Sequence, residues 1–410
     1  MGILQKKANR KTSIIYLITG ILFFICIIEL LLQILALAIP KLNFILVSDL
    51  PYFEEIKDEK LGIRGNLAYP GHDKNGFRNN SIPLKAYIIC MGDSQTYGLN
   101  VSPDRAWPQQ LEKMSGLKVY NMAFGGYSPA HSLILLNKAI ELKPKLIIEA
   151  FYSGNDAFEA YELVYNRGEL KFLINLDKKV IKEIMDTESK GRLEDKIQYN
   201  FTKTFYRDKK GQIIKFLVKN SKLYSLLQAI KRLSSNFLNN RWIYLRTKAN
   251  KEFCQVFDSG KLKTVFTPRL RLCGLDLSDP RIAEGHRICL EAIRLMNEQA
   301  KLRDINVIVL FIPTKEMAFE DAAKEKSSKI IKDYDSLIKN EKIFWKTTMN
   351  FLKKHKIDFI DSLPYLRDYI KNGDQPYKIS QDGHPNKIGY YAIAEAVYAV
   401  IKNKGLLVTN

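Results

Sequence analysis

Ala86-Tyr87-Ile88-Ile89-Cys90-Met91-Gly92-Asp93-Ser94 decides the fold. Six apolar residues run without polar alternation and stop at a Gly-Asp-Ser turn. A short unbroken apolar run of this kind predicts a strand buried on both faces, as in parallel sheets. The pattern repeats. Residues 118–124 form a second such run, ending at Gly125-Gly126, and residues 145–152 a third, ending at Ser153-Gly154-Asn155-Asp156. Two more candidates follow at 306–312 and 357–361. Between the runs lie segments with helical spacing, at 107–114, 130–142, 281–302 and 386–401. Strand and helix in alternation predict an α/β fold, with a parallel sheet between helical layers.

The flanking regions read differently. Lys6, Lys7, Arg10 and Lys11 precede an apolar stretch over 13–39, closed by Pro40. Its length suits a helix crossing a hydrocarbon core of about 30 Å, and the basic flank places the N-terminus on the cytoplasmic side. Ala36-Leu37-Ala38 resembles a signal-peptidase site, but the apolar run is longer than a usual signal core, which favours an uncleaved anchor. Glu29 and Gln33 are costly inside such a stretch unless protonated or paired. Residues 40–85 read as a turn-rich, membrane-proximal stalk. The expected organisation is therefore a cytoplasmic 1–12, an anchor over 13–39, the stalk, a core in two parts (86–156 and 266–410), and an insertion or cap over 157–265.

Charge is concentrated in that insertion. The chain carries a formal +20, and residues 196–251 hold fourteen Lys or Arg against one acid, Asp208. Tyr199, Phe201, Phe205, Tyr206, Tyr224, Trp242 and Tyr244 are interleaved with them. Such a face suits anionic glycan or lipid headgroups, or is simply solvated. An extracytoplasmic position argues against nucleic acid. The five cysteines show no CxxC or Cys/His ligand spacing, so no metal site is expected; Cys254 and Cys273 are a conceivable pair in an oxidising compartment.

Four turn blocks can supply the parts of an ester-cleaving site: Gly92-Asp93-Ser94, Gly125-Gly126, Gly154-Asn155-Asp156 and Asp382-Gly383-His384. The first three directly follow strand-like runs, where open α/β sheets place their ligand crevice. A serine nucleophile needs a base, and the oxyanion it creates needs hydrogen-bond donors. Ser94 and His384 fit the first need; the Ser94 and Gly126 N–H groups and the Asn155 amide fit the second. Taken singly, each block also reads as a helix cap or an Asx turn. His72, His131, His286 and His355 lack a comparable setting.

The blocks, in this order, resemble the SGNH, or GDSL, hydrolase family over roughly 84–156 and 300–402. The resemblance implies a three-layer, flavodoxin-like fold and an acyl-enzyme mechanism with no cofactor. It also implies an esterase or O-acyltransferase acting on acylated carbohydrate, O-acetyl groups above all. Most members carry an aspartate three residues before the histidine, where this chain has Gln381. The Asp-x-His spacing given by Asp382 is similar to that of alginate O-acetylation enzymes, with Asp361 a remote substitute for the acid. Lys315, after the fourth strand, is expected to contact substrate or hold the cap. A non-catalytic glycan-binding envelope protein is the rival from another class.

Overall fold

A computed structural model describes residues 2–39, 42, 55–69, 71–205, 217, 220–233, 246, 249–326 and 332–407. The described residues fall into two compact units. The larger is built on five parallel strands: β1 (Ile88–Met91), β2 (Val119–Asn121), β3 (Leu146–Tyr152), β4 (Asn306–Ile312) and β5 (Asp358–Asp361). Their order across the sheet is β2-β1-β3-β4-β5, the flavodoxin-like arrangement, in which the chain reverses direction across the sheet between β1 and β3.

The apolar runs give this sheet for a direct reason. Both faces of β1 and β3 are covered, so every residue of each is buried. Ile88, Cys90, Ile148, Ala150 and Leu310 point to one face and pack with Trp107, Leu111, Leu366, Tyr390 and Ile393 from helices. Ile89, Met91, Ile147 and Val307 point to the other, against Leu136, Ala139, Met296 and Ala300. The period-2 alternation of strand side chains thus builds three layers from one sheet. The second strand is shorter than its apolar run. Met122 still donates to the Cys90 carbonyl and Phe124 to that of Gly92, but the chain there is already turning toward Gly126.

Residues 153–305 separate β3 from β4, and the described ones are largely helical, with an antiparallel hairpin of Gln255–Asp258 and Lys263–Phe266. This long insertion starts inside the core: Ala157, Tyr161, Leu163, Val164 and Leu193 are buried with Phe151 and Phe311. Parts of the basic block, including Tyr206, Trp242 and Tyr244, lie outside the described residues, as does most of the proposed stalk between 40 and 54.

The smaller unit contains α1 (Gly2–Ala38), whose stretch Ile14–Ala38 has mean hydropathy 2.8 and is long and apolar enough to cross a membrane. Glu29 is not left alone in it. Its carboxylate accepts from Ser221 Oγ (2.8 Å), the Lys222 N–H (2.7 Å) and the Leu223 N–H (2.9 Å), and from Gln33 Nε2 (2.6 Å). These N–H groups open α2 (Lys222–Leu233). The carboxylate therefore caps a helix N-terminus, where such donors otherwise go unpaired. Pairing of this kind answers the cost expected for an acid in that stretch.

Candidate active site

Ser94 opens the short helix α3 (Ser94–Tyr97), reached from β1 through Gly92 and Asp93. Gly92 has φ +138°, and a Cβ there would lie 2.9 Å from both the Ala150 carbonyl and Thr96 Oγ1. Only glycine makes this exit from the strand without strain. Asp93 caps α3, its Oδ1 accepting from the Gln95 N–H at 2.8 Å. Burial pushes the Asp93 carboxyl up to about 6, against the pull of that N–H and of His384.

His384 comes from the far end of the chain, on the turn before the helix Lys387–Asn403, which Asn386 caps. Its Nε2 lies 2.8 Å from Ser94 Oγ and its Nδ1 2.5 Å from Asp382 Oδ1. With the Nδ1 proton donated to Asp382, Nε2 is free to accept from the serine hydroxyl. The Asp382 carboxylate also accepts from the His384 N–H at 2.9 Å and, on its other oxygen, from Asn100 Nδ2 at 2.5 Å. Burial raises its proton affinity, but the His384 charge and these donors outweigh burial and hold it well below the usual carboxylate range.

Gln381, three residues before the histidine, donates to the Thr204 carbonyl (3.0 Å), and Asp361, the remote alternative acid, accepts from the Leu363 N–H at the start of the next helix. Asp382 is the carboxylate in contact with the imidazole.

Gly126 and Asn155 sit at the ends of the neighbouring strands. Gly126 has φ +76° and faces Glu159, whose carboxylate oxygens would be 3.8 Å from a Cβ at this position. Asn155 precedes α4 (Asp156–Tyr161), is half-buried, and hydrogen-bonds Glu159 through its side chain. The Glu159 carboxyl is pushed up to about 8 by burial and by Glu162, with Asn155 opposing. A half-buried acid beside the candidate oxyanion donors is a feature that left no mark in the sequence.

Lys315 does not face the crevice. It is fully buried, and its ammonium donates to the carbonyls of Val265, Ser380 and Asp382, each at 2.9 Å. All three of its protons are used, so none is left for a substrate. Its place is beneath the histidine loop, which it ties to the hairpin. Burial pushes this amine down to about 8.

The remaining histidines are occupied elsewhere: His72 with Tyr97 Oη and the Asn66 carbonyl, His131 with Ser128, His286 with Thr348, and His355 against the Phe351 ring. All five cysteines are free thiols.

No family model matches the chain, and no curated protein is similar to it. Solved structures that resemble it include a GDSL-like lipase from Bacteroides thetaiotaomicron (10% identity, 77% of this chain and 88% of that one, TM-score 0.32). TesA is another (12% identity, 78% and 99% covered, TM-score 0.35). An alpha/beta hydrolase enzyme from the metagenome of Lake Arreo, Spain, is a third (10% identity, 79% and 97% covered, TM-score 0.36). At these identities and TM-scores the likeness by itself establishes neither an activity nor a substrate.

Proposed function

We propose that this chain is a membrane-anchored serine esterase that removes acyl groups, chiefly O-acetyl, from carbohydrate of the cell envelope or from secreted carbohydrate. The observation that carries this reading is the chain of contacts Ser94 Oγ to His384 Nε2 (2.8 Å) and His384 Nδ1 to Asp382 (2.5 Å). Ser94 meets the Asp382–His384 turn across 290 positions of sequence, in the order that nucleophilic catalysis requires.

In this reading Ser94 attacks the ester carbonyl while His384 takes its proton. Asp382 holds the imidazole in the required tautomer and stabilises its charged form. The Ser94 and Gly126 N–H groups and the Asn155 amide receive the oxyanion. His384 then protonates the departing sugar oxygen, leaving an acyl-Ser94 ester. Water, activated by the same histidine, releases the acid. A sugar hydroxyl in place of water would make the enzyme an O-acyltransferase with the same residues. The anchor is α1, with the catalytic unit on the extracytoplasmic side by the basic residues ahead of the apolar stretch.

The test uses the full chain in detergent with an activated acetyl ester and an acetylated glycan. Ester turnover that Ser94→Ala removes, together with an acetyl adduct on Ser94 by mass spectrometry, is the expected result. Wild-type turnover no faster than that of Ser94→Ala would overturn the reading. Acetate release against transfer to an added glycan separates hydrolysis from transfer.

A further inference from the structure

Buried and half-buried arginines in this protein are otherwise well supplied with acceptors. Arg281 pairs with Asp279 and Glu188, Arg287 with Glu284, and Arg78 donates to the carbonyls of Gly98 and Val101. Arg271 is the exception. It lies on α5 (Pro268–Leu275) and is half-buried; its Nε is buried without a partner, and among the described residues its guanidinium makes no hydrogen bond and no ion pair. Leaving buried donors unpaired is costly, more so when they are charged.

The position of this cation is specific. Its guanidinium carbon lies 5.9 Å from the centre of the Tyr152 ring, at the end of β3. Its terminal nitrogen presses on Gly383, where an added Cβ would come within 2.6 Å of it. Gly383 is the residue between Asp382 and His384. On the same helix, Gly274 packs against the Gly154 carbonyl, with its would-be Cβ 3.5 Å from the Asn155 Cα. Arg271 is thus carried to the seam between the turn that bears Asn155 and the turn that bears His384. Its charge acts on Tyr152 and Glu316 first, then on Asp382 and on Asp93 beside Ser94, and it hydrogen-bonds none of them.

We infer that Arg271 is a specificity residue that receives an anionic group of the substrate, a carboxylate or phosphate borne close to the ester cleaved at Ser94. The planar guanidinium presents paired N–H donors that match either group. The inference rests on the esterase reading and narrows it to acidic substrates, such as acylated sugars that carry a carboxylate or phosphate.

The experiment compares kcat/KM of the full chain on phenyl acetate, 4-acetoxybenzoate and 4-acetoxyphenyl phosphate. Wild type is expected to favour one or both anionic esters by roughly 10- to 100-fold, the range for hydrogen bonds to charged groups. The ester that gains more tells carboxylate from phosphate. Arg271→Ala should erase that ratio, and Arg271→Glu should shift preference toward a cationic ester such as acetylthiocholine, which a structural role would not do. A second arm needs no turnover: 4-hydroxybenzoate or 4-hydroxyphenyl phosphate binding to Ser94→Ala, by calorimetry, should be lost when Arg271→Ala is added. Equal loss on neutral and anionic esters, or anion binding indifferent to Arg271, would overturn the assignment while leaving the esterase reading in place. Absence of turnover on all three esters with Arg271-dependent anion binding would sink the esterase reading instead.

Discussion

Asn100 donates its side-chain amide to the Asp382 oxygen that His384 Nδ1 does not use, at 2.5 Å. Asn100 stands six residues after Ser94 and holds φ +73°, a left-handed conformation that asparagine tolerates better than most residues. One segment therefore carries the candidate nucleophile and also steadies the acid 282 positions away. Asn100→Ala should lower kcat by about tenfold, the lower range for a hydrogen bond to a charged group. KM should move little. Steady-state kinetics on an activated acetyl ester decide it, and an unchanged kcat would remove Asn100 from the site.

Ser94→Ala and His384→Ala are each expected to reduce kcat by about 10⁴-fold or more. Groups that act as one unit fail together, so the double variant should be hardly worse than either single one. Multiplying losses in the double variant would mean that the two side chains act independently. Asn155→Ala should cost about 10²–10³ in kcat, as removal of an oxyanion donor does. A loss confined to KM would reassign Asn155 to ground-state binding.

Lys315→Met keeps the bulk of the side chain and leaves the carbonyls of Val265, Ser380 and Asp382 without their common donor. The histidine loop then loses its tie to the hairpin. Misplacement of a reacting group by about 1 Å can cost roughly 10²-fold, and a fall of that size in kcat is expected. Arginine is too large for the pocket and should not rescue it. Wild-type kinetics from Lys315→Met would show that the loop keeps its position unaided.

Glu149, in the middle of β3, is wholly buried, and burial pushes its carboxyl up to about 8, with Asp93 adding to the rise. The folded protein thus keeps a proton that the unfolded chain gives up near 4.5. Between those values the folded state binds more protons, so stability contributed by this group falls as pH rises. Thermal melts should show Tm declining from pH 5 to pH 8. Glu149→Gln should raise Tm at pH 8 and change it little at pH 4.5. A variant with the same pH slope as wild type would place the effect on Asp93 or Asp156, which burial shifts the same way.

The sheet was legible because its central strands are buried on both faces and so appear as mostly apolar runs. The turns after β1, β2 and β3 followed from strand ends alone. Ser94 and His384 stood out because each sits in a turn of restricted composition. Asn100 and Arg271 left no such mark: one depends on a backbone conformation and the other on a helix whose neighbours come from distant segments. Lys315 was noticed for its position after β4, but burial reversed the direction in which its charge was expected to act. Local periodicity tells which residues are inside; it does not tell which buried polar group meets which.

The Glu29 cap bears on how the protein is prepared. A shortened version starting after residue 40 would delete the acceptor for the Ser221, Lys222 and Leu223 donors. It would also bare one side of a helix on which Leu227 and Ile230 are already exposed. Such a version is prone to self-association for reasons unrelated to its chemistry. Soluble variants for crystallisation should drop 208–241 together with the leading helix, or retain both in detergent.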